Sequence, residues 1–377
     1  MKKLYKIEIE DNFLEKNYTT YILLKSKDEI NKYFINEDIK IMNINVDNYY
    51  IKNKKLSLEQ MKFLCDNLYL MINSDINIYK SISFLIFNND VDKIIKGILY
   101  KVYLNLRNGK DYKQSFEQEE LDKYFLYSIK ITKNLDTMKK AIYNLKDYYE
   151  NLLKSKKEIE KSTIYPLTVL VMLITVLSTM NFLIVPQFNN MLDMDINLKL
   201  STYMLITLSF IILIIIIIYL KGKNNDNIYL KTPFLKNTYK NYIFFRFSRD
   251  INILIKNNET IYNALNYVLS NEKSDYILEK FIKVSKYIDE GKNLEEIFEN
   301  FDDIKEFSMS FSLIKNTGDY GETFIFLEKF FYNKFKYTSE KIKKLIEPLL
   351  VIILAILIMS LAYEVYSKIF LGGITFL

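Results

Sequence analysis

Residues 64–82, LCDNLYLMINSDINIYKSI, and residues 247–265, FSRDINILIKNNETIYNAL, carry one pattern twice. Leu64, Leu68, Met71 and Ile72 stand 183 positions before Phe247, Ile251, Leu254 and Ile255, and Ile78-Tyr79 stands the same distance before Ile261-Tyr262. The matched apolar positions recur at i, i+4, i+7 and i+8, one stripe of an amphipathic helix. The repeat is therefore helical. Asp75 and Asn258 precede the next apolar sets, Ile78/Ile82/Leu85 and Ile261/Leu265/Val268, where helix N-caps are expected.

Further along, the two copies keep step at a spacing of 182, so one inserted residue separates the two registers. Gly109-Lys110 pairs with Gly291-Lys292, Phe116 with Phe298, Phe125 with Phe307, Ser128 with Ser310, Asn134 with Asn316, Leu145 with Leu327, and Pro166 with Pro348. Gly109 and Gly291 fall between helical stretches and are expected as turn glycines that end a helix in the left-handed region. Each copy reads as an antiparallel bundle of short helices whose last helix runs into an apolar segment at a proline.

Three apolar runs follow the copies: Ile164 to Val185, Tyr203 to Leu220, and Pro348 to Tyr363 continuing past Glu364 and Lys368. Each is near the ~20 residues that span a bilayer core as a helix. Lys154, Lys156, Lys157 and Lys161 precede the first run, and Lys221, Lys223, Lys231 and Lys236 follow the second. The loop between them holds Asp193, Asp195 and a single Lys199. The positive-inside rule then places the N-terminus and the long segment after the second run in the cytoplasm, and the short loop and C-terminal tail outside. Met1 to Asp11 has no apolar core, so insertion is expected through the first internal crossing rather than a cleavable signal.

Composition narrows the chemistry. Among 377 residues there is no His, no Trp and one Cys, Cys65. That excludes Ser/His and Cys/His nucleophile pairs, imidazole ligands and cysteine clusters, so no metal and no cofactor is expected. A phosphate-cradling loop needs Gly five residues before a Gly-Lys pair. Those positions hold Leu104, Ile217 and Lys286. The net charge of +6 comes from dispersed Lys with only three Arg, which speaks for solvated helix faces rather than direct nucleic-acid binding.

The expected fold class is an all-α membrane protein with two homologous cytoplasmic helical bundles, three transmembrane helices and a small α/β N-terminal appendage. The expected segments are 1–55 for the appendage, 56–163 for the first bundle, 164–220 for a membrane hairpin, 221–345 for the second bundle, 346–370 for the third crossing and 371–377 for an external tail. Within the appendage, Tyr5 to Glu10 alternates as a strand, Asp28 to Phe34 reads as a helix, and Ile39 to Val46 reads as a second strand.

This pattern resembles the type II secretion system F family, the inner-membrane platform proteins of type II secretion, type IV pili and competence pseudopili. The matching residues are Tyr165-Pro166 opening the first crossing, Val185-Pro186-Gln187-Phe188 closing it, and Glu347-Pro348-Leu349 opening the last. Gly291-Lys292-Asn293-Leu294 resembles the family's inter-helix turn, and Thr317-Gly318-Asp319-Tyr320-Gly321-Glu322 its Gly-Glu-x-x-Gly signature, with Asp319 where Glu is usual and one residue fewer. The first copy has Asn134-Leu135-Asp136-Thr137 there and no glycine.

The resemblance implies a non-enzymatic scaffold in the cell membrane, engaging a hexameric-type assembly ATPase in the cytoplasm and pilins or pseudopilins in the bilayer, and acting as a homo-oligomer. It makes Gly318, Asp319, Gly321, Glu322, Glu347 and Glu364 candidate contact or signature residues, with Gly109, Gly291, Pro166, Pro186 and Pro348 as structural turns. Glu347, beside Pro348, is expected at a helix start, where a carboxylate complements the dipole. Glu364 and Lys368, spaced i, i+4, are the ionisable pair within the third run. The alternative is a channel or transporter subunit that lines a pore as an oligomer.

Overall fold

The computed structural model describes the chain except residues 1, 13, 35–37, 52–54, 193–198, 223–226, 293–296, 298–304, 315–319 and 373–377, and except the side chains of further positions in the long helices. Strands β1 (Lys2–Asp11) and β2 (Lys16–Leu24), a 3-10 turn (Lys27–Lys32) and β3 (Ile39–Ile51) come first. The first helical copy is α1 (Leu58–Asn73), α2 (Ile78–Phe87), α3 (Lys93–Arg107), α4 (Tyr112–Ser115), α5 (Lys123–Lys130) and α6 (Leu135–Thr179). A π turn (Met180–Ile184) joins α6 to α7 (Val185–Leu192), and α8 (Lys199–Gly222) and α9 (Asn227–Lys231) follow. The second copy is α10 (Pro233–Lys256), α11 (Ile261–Ser270), α12 (Asp275–Asp289), α13 (Lys305–Ile314) and α14 (Tyr320–Gly372). The chain is mostly helical, with two related copies and one small sheet.

Local chemistry explains the helix ends. Ser57 accepts from the Gln60 amide and Gln60 returns the bond to the Ser57 amide, a reciprocal box that opens α1. Asn77, Asp92 and Asp122 cap α2, α3 and α5 with their side chains alone, which accept from the amides of Lys80, of Ile94 and Ile95, and of Tyr124. Asp75 and Asn258 are not the caps expected of them. Both take a left-handed conformation, with φ of 59° and 65°. Each follows the last turn of its helix, where Ile76 N–H reaches Met71 and Glu259 N–H reaches Leu254 in the six-to-one bond of a Schellman ending. The caps are Asn77 and Thr260, two residues later, the second accepting from the Asn263 amide. Gly109 and Gly291 have φ of 79° and 72° and end α3 and α12 by the same bond, from Lys110 N–H to Asn105 and from Lys292 N–H to Tyr287.

The prolines are not turns. Pro348 lies inside α14, a helix of 53 residues, and Pro166 inside α6, a helix of 45 residues. Each removes one donor from a ladder that continues on both sides. Pro186 is the second residue of α7, directly after the π turn, a local widening that accommodates the lost bond. Glu347 accordingly sits deep within α14 and far from its N-terminus, so the dipole expected to favour it acts elsewhere.

The N-terminal sheet has order β2-β1-β3, antiparallel throughout, with Tyr5 opposite both Ile22 and Val46. β2 was not expected from the sequence, and the helix expected from Asp28 is the shorter 3-10 turn from Lys27. Leu4, Ile7, Ile9, Ile22 and Leu23 are buried, and the sheet packs on α3.

The chain divides into two compact units. Unit 1 is Met1–Ser155 with Asp250–Ala264, and unit 2 is Lys156–Arg249 with Leu265–Leu377. In unit 1 the core gathers Leu64, Leu68, Ile82, Leu99, Phe125 and Tyr149. In unit 2 it is a phenylalanine cluster, with Phe247 and Phe281 rings 4.4 Å apart and Phe244 and Phe331 rings 5.1 Å apart. Among the described residues, no helix is long and apolar enough to cross a membrane. The three apolar runs fall on α6 to α7, α8 and α14, where many side chains lie outside the described set.

Candidate functional site

Two polar assemblies in unit 1 decide which surfaces remain for partners. The first fastens the sheet to the bundle. Lys2 of β1 donates to Glu120 at 2.7 Å and Glu119 at 2.9 Å, and Lys101 of α3 donates to Glu120 at 3.2 Å. Lys2, Lys101 and Glu120 are all nearly closed off from solvent. Burial pushes the Glu120 carboxyl up, but Lys101 and Lys2 together outweigh it and hold the group below the usual glutamate range. For Lys101 burial prevails and the ammonium is pulled down. Burial also acts downward on Lys2, yet its bonds to Glu120 and Glu119 carry it above the usual lysine range.

A second polar lock joins the sheet to the end of α3. Arg107 grips both oxygens of Asp11, which also accepts from the Leu14 amide at 3.1 Å and the Tyr18 hydroxyl at 3.3 Å. Tyr18 meets the Tyr100 hydroxyl at 3.2 Å, and burial pushes the Tyr18 phenol up to about 12. Between these locks the helix approaches the sheet at Gly97, where an added Cβ would stand 2.9 Å from Leu4.

The second assembly lies where segment 250–264 of the second copy meets α5 and α6 of the first, all within unit 1. Asp250 is buried, and its oxygens accept from the Tyr124 hydroxyl at 2.7 Å and the Tyr148 hydroxyl at 3.1 Å. Asn257 donates to Ser128 at 2.7 Å and accepts from Asn144 at 2.7 Å. Tyr127 donates to Glu259 at 3.0 Å, and Lys140 donates to Asn258 at 3.0 Å. A carboxylate held by two phenols away from water fixes a single register, because any slip leaves it desolvated without donors. The sequence pattern missed Asp250. Its only signal is an acid adjoining the apolar stripe at Ile251.

The expected signature residues are not gathered here. Gly318 and Asp319 lie outside the described residues, Gly321 is half-buried in the first turn of α14, and Glu322 is exposed beside it. The side chains of Glu347, Glu364 and Pro166 lie outside the described set, and Pro186 and Pro348 are exposed. The matching stretch of the first copy shows what this position does locally. Thr137 accepts from the Asn134 amide at 3.0 Å and Asn134 returns a bond from the Thr137 amide at 2.9 Å, so the pair starts α6. Among the described residues, no group of three or more acids or cysteines is placed to hold a metal ion.

Two related helical copies, the first covered by a sheet and each running into a long helix, define a helical-repeat protein. The family described as type II secretion system (T2SS) protein F matches the chain twice, at residues 64–186 and 247–366. Those two matches cover more than half of its length and begin 183 residues apart, the spacing of the upstream repeat. The chain belongs to this family. A comparison with curated proteins finds no match.

Proposed function

We propose that this protein is a membrane-embedded platform that couples a cytoplasmic assembly ATPase to the extraction and polymerisation of pilin-type subunits. One structural observation carries the membrane half of that reading. Large apolar side chains stand exposed along the three helices that hold the apolar runs, including Met172 and Phe182, Ile206 and Phe210, and Ile358 and Met359. Large apolar side chains exposed in such number belong against lipid or another apolar partner, not water. The lysines flanking the first two runs favour helical bundles on the cytoplasmic side.

The coupling half follows from family membership together with the absence of a phosphate-binding loop in the sequence, which leaves nucleotide hydrolysis to a partner. Such a scaffold needs no enzymatic site. It needs rigid bundles whose displacement reaches the crossings, and α6 and α14 each run unbroken from bundle to apolar run.

Two measurements test the proposal. Thiol labelling from outside the cell should modify Asp193→Cys and spare Lys286→Cys, and the reverse pattern would overturn the orientation. Deletion of the gene should abolish surface fibres, secretion or DNA uptake in the host, with the cytoplasmic segments copurifying with a Walker-motif ATPase. Fibres, secretion and uptake that all persist in the deletion strain would overturn the coupling role.

A further inference from the structure

The seam inside unit 1 is used once, although the chain holds its parts twice. In it the second copy contributes an outer helix face, with Asp250, Ile253 and Glu259, and the first copy contributes a receiving face on α5 and α6, with Tyr127, Asn144 and Tyr148. Ile253 is only 3% exposed. The repeat registers identify the counterpart of each face. Asp250, Ile253 and Glu259 correspond, 183 residues back, to Asn67, Leu70 and Ile76 of the first copy, and Tyr127, Asn144 and Tyr148 correspond, 182 residues on, to Met309, Phe326 and Phe330 of the second.

Four of these six counterparts are apolar and exposed, whereas Asn67 is polar and half-buried and Phe330 is half-buried. Leu70 is 63% exposed and Ile76 39%, while Met309 is 64% and Phe326 53%. We propose that a second copy of this chain completes the pattern, the outer face of α1 in one chain seating on the α13–α14 face of the other. At one pair the chemistry changes in concert on both sides. Where Tyr127 donates to Glu259 within the chain, the counterparts are Met309 and Ile76, so a polar pair in the internal seam becomes an apolar pair in the external one. The Asn144–Asn257 bond has no equivalent, its counterparts being Phe326 and Ser74, and one position opposes the fit in charge: Lys140 and Asn258 become Glu322 and Asp75. Asp75 is highly exposed and already paired with Lys139 at 2.6 Å, so this mismatch falls on the wet rim, where charge pairs weigh little.

Symmetry gives the reason for expecting a second chain. A seam that joins unlike faces of two repeats is heterologous, and each use of it leaves one outer face and one receiving face outside that seam. A second chain occupies both if the pair closes, and further chains do so if it does not.

The test uses the full-length chain in detergent or nanodiscs, with Cys65 replaced by Ala so that only introduced thiols react. Ile76→Cys and Met309→Cys are prepared as separate proteins, mixed and oxidised. A crosslink in the mixture that neither protein forms alone is the expected result. No mixed product, or equal product from either protein alone, overturns the pairing. Leu70→Asp and Phe326→Asp should each weaken self-association about tenfold or more in sedimentation, with helicity unchanged because both sites are exposed. An unchanged mass distribution, or a wild-type chain that stays single, overturns the proposal.

Discussion

Helices α3 and α12 occupy the same register in the two copies and live in different surroundings. In α3 every residue from Ile95 to Asn105 is buried, because the bundle covers one face and the sheet the other. Among the described side chains of α12, burial falls on Ile277, Phe281 and Val284, spaced as one helical stripe, and Glu279, Lys283 and Lys286 are exposed. Among the many residues that differ are ones that meet the sheet. Gly97 stands where the second copy has Glu279, Leu104 where it has Lys286, and Arg107 where it has Asp289. A duplicated element has diverged by acquiring a cover. The consequence is that the first copy's α3 face is closed to partners, whereas the corresponding face of the second copy still meets solvent.

The comparison breaks most sharply at Gly97. Gly97→Glu, which restores the second copy's residue, places a carboxylate against Leu4 and the β2 backbone. The expected cost is about 3–5 kcal/mol of unit 1 stability, from overpacking and an unpaired buried charge. Hydrogen exchange should show β1 and β2 losing protection while α12 and α13, in unit 2, keep theirs. Full protection of the sheet in this variant would show that the close approach does not matter.

Next in size is Glu120→Gln, which leaves Lys2 and Lys101 buried beside a neutral amide. A loss of about 3 kcal/mol is expected in chemical denaturation, and Lys101→Met in the same background should recover part of it by removing one stranded charge.

Acidification probes the same lock with a smaller effect. Because Glu120 titrates below its unfolded value, its contribution is present above the ordinary glutamate range and is lost as pH falls through the depressed folded value. Unit 1 should therefore weaken below about pH 4.5 more than the Glu120→Gln variant does, as read by denaturation midpoints across pH. Parallel pH profiles for the two proteins would rule out this linkage.

The smallest effect sharpens the likeness rather than the difference. Gly109→Ala and Gly291→Ala each force a side chain into the left-handed region with nothing nearby to clash, so each should cost about 1 kcal/mol and the two should match. A clearly unequal pair would mean that the copies end these helices differently.

Much of this was legible in the residues. The apolar stripes and their fixed spacing announced two helical bundles, since a 3.6-residue period depends only on local geometry. The left-handed glycines were equally plain, because a turn after a helix constrains one residue at a time. Asp75 and Asn258 show where local signals mislead. An Asx residue before a helix and one after a helix look alike when only four residues separate the helices, and only the backbone separates a cap from a Schellman ending. The prolines misled for a related reason: a missing donor predicts a break, yet a long helix supported on both sides runs through it.

By itself, then, the sequence determined the duplication, the helical period, the three apolar runs and the exclusion of phosphate-loop and imidazole chemistry, all properties of residues near one another in the chain. The tertiary structure alone decided that the sheet covers α3, that Lys2 meets Glu120 and that Asp250 of one copy lies between Tyr124 and Tyr148 of the other. Those contacts join residues more than 100 positions apart. Desolvation makes each acceptable only when its partners arrive together.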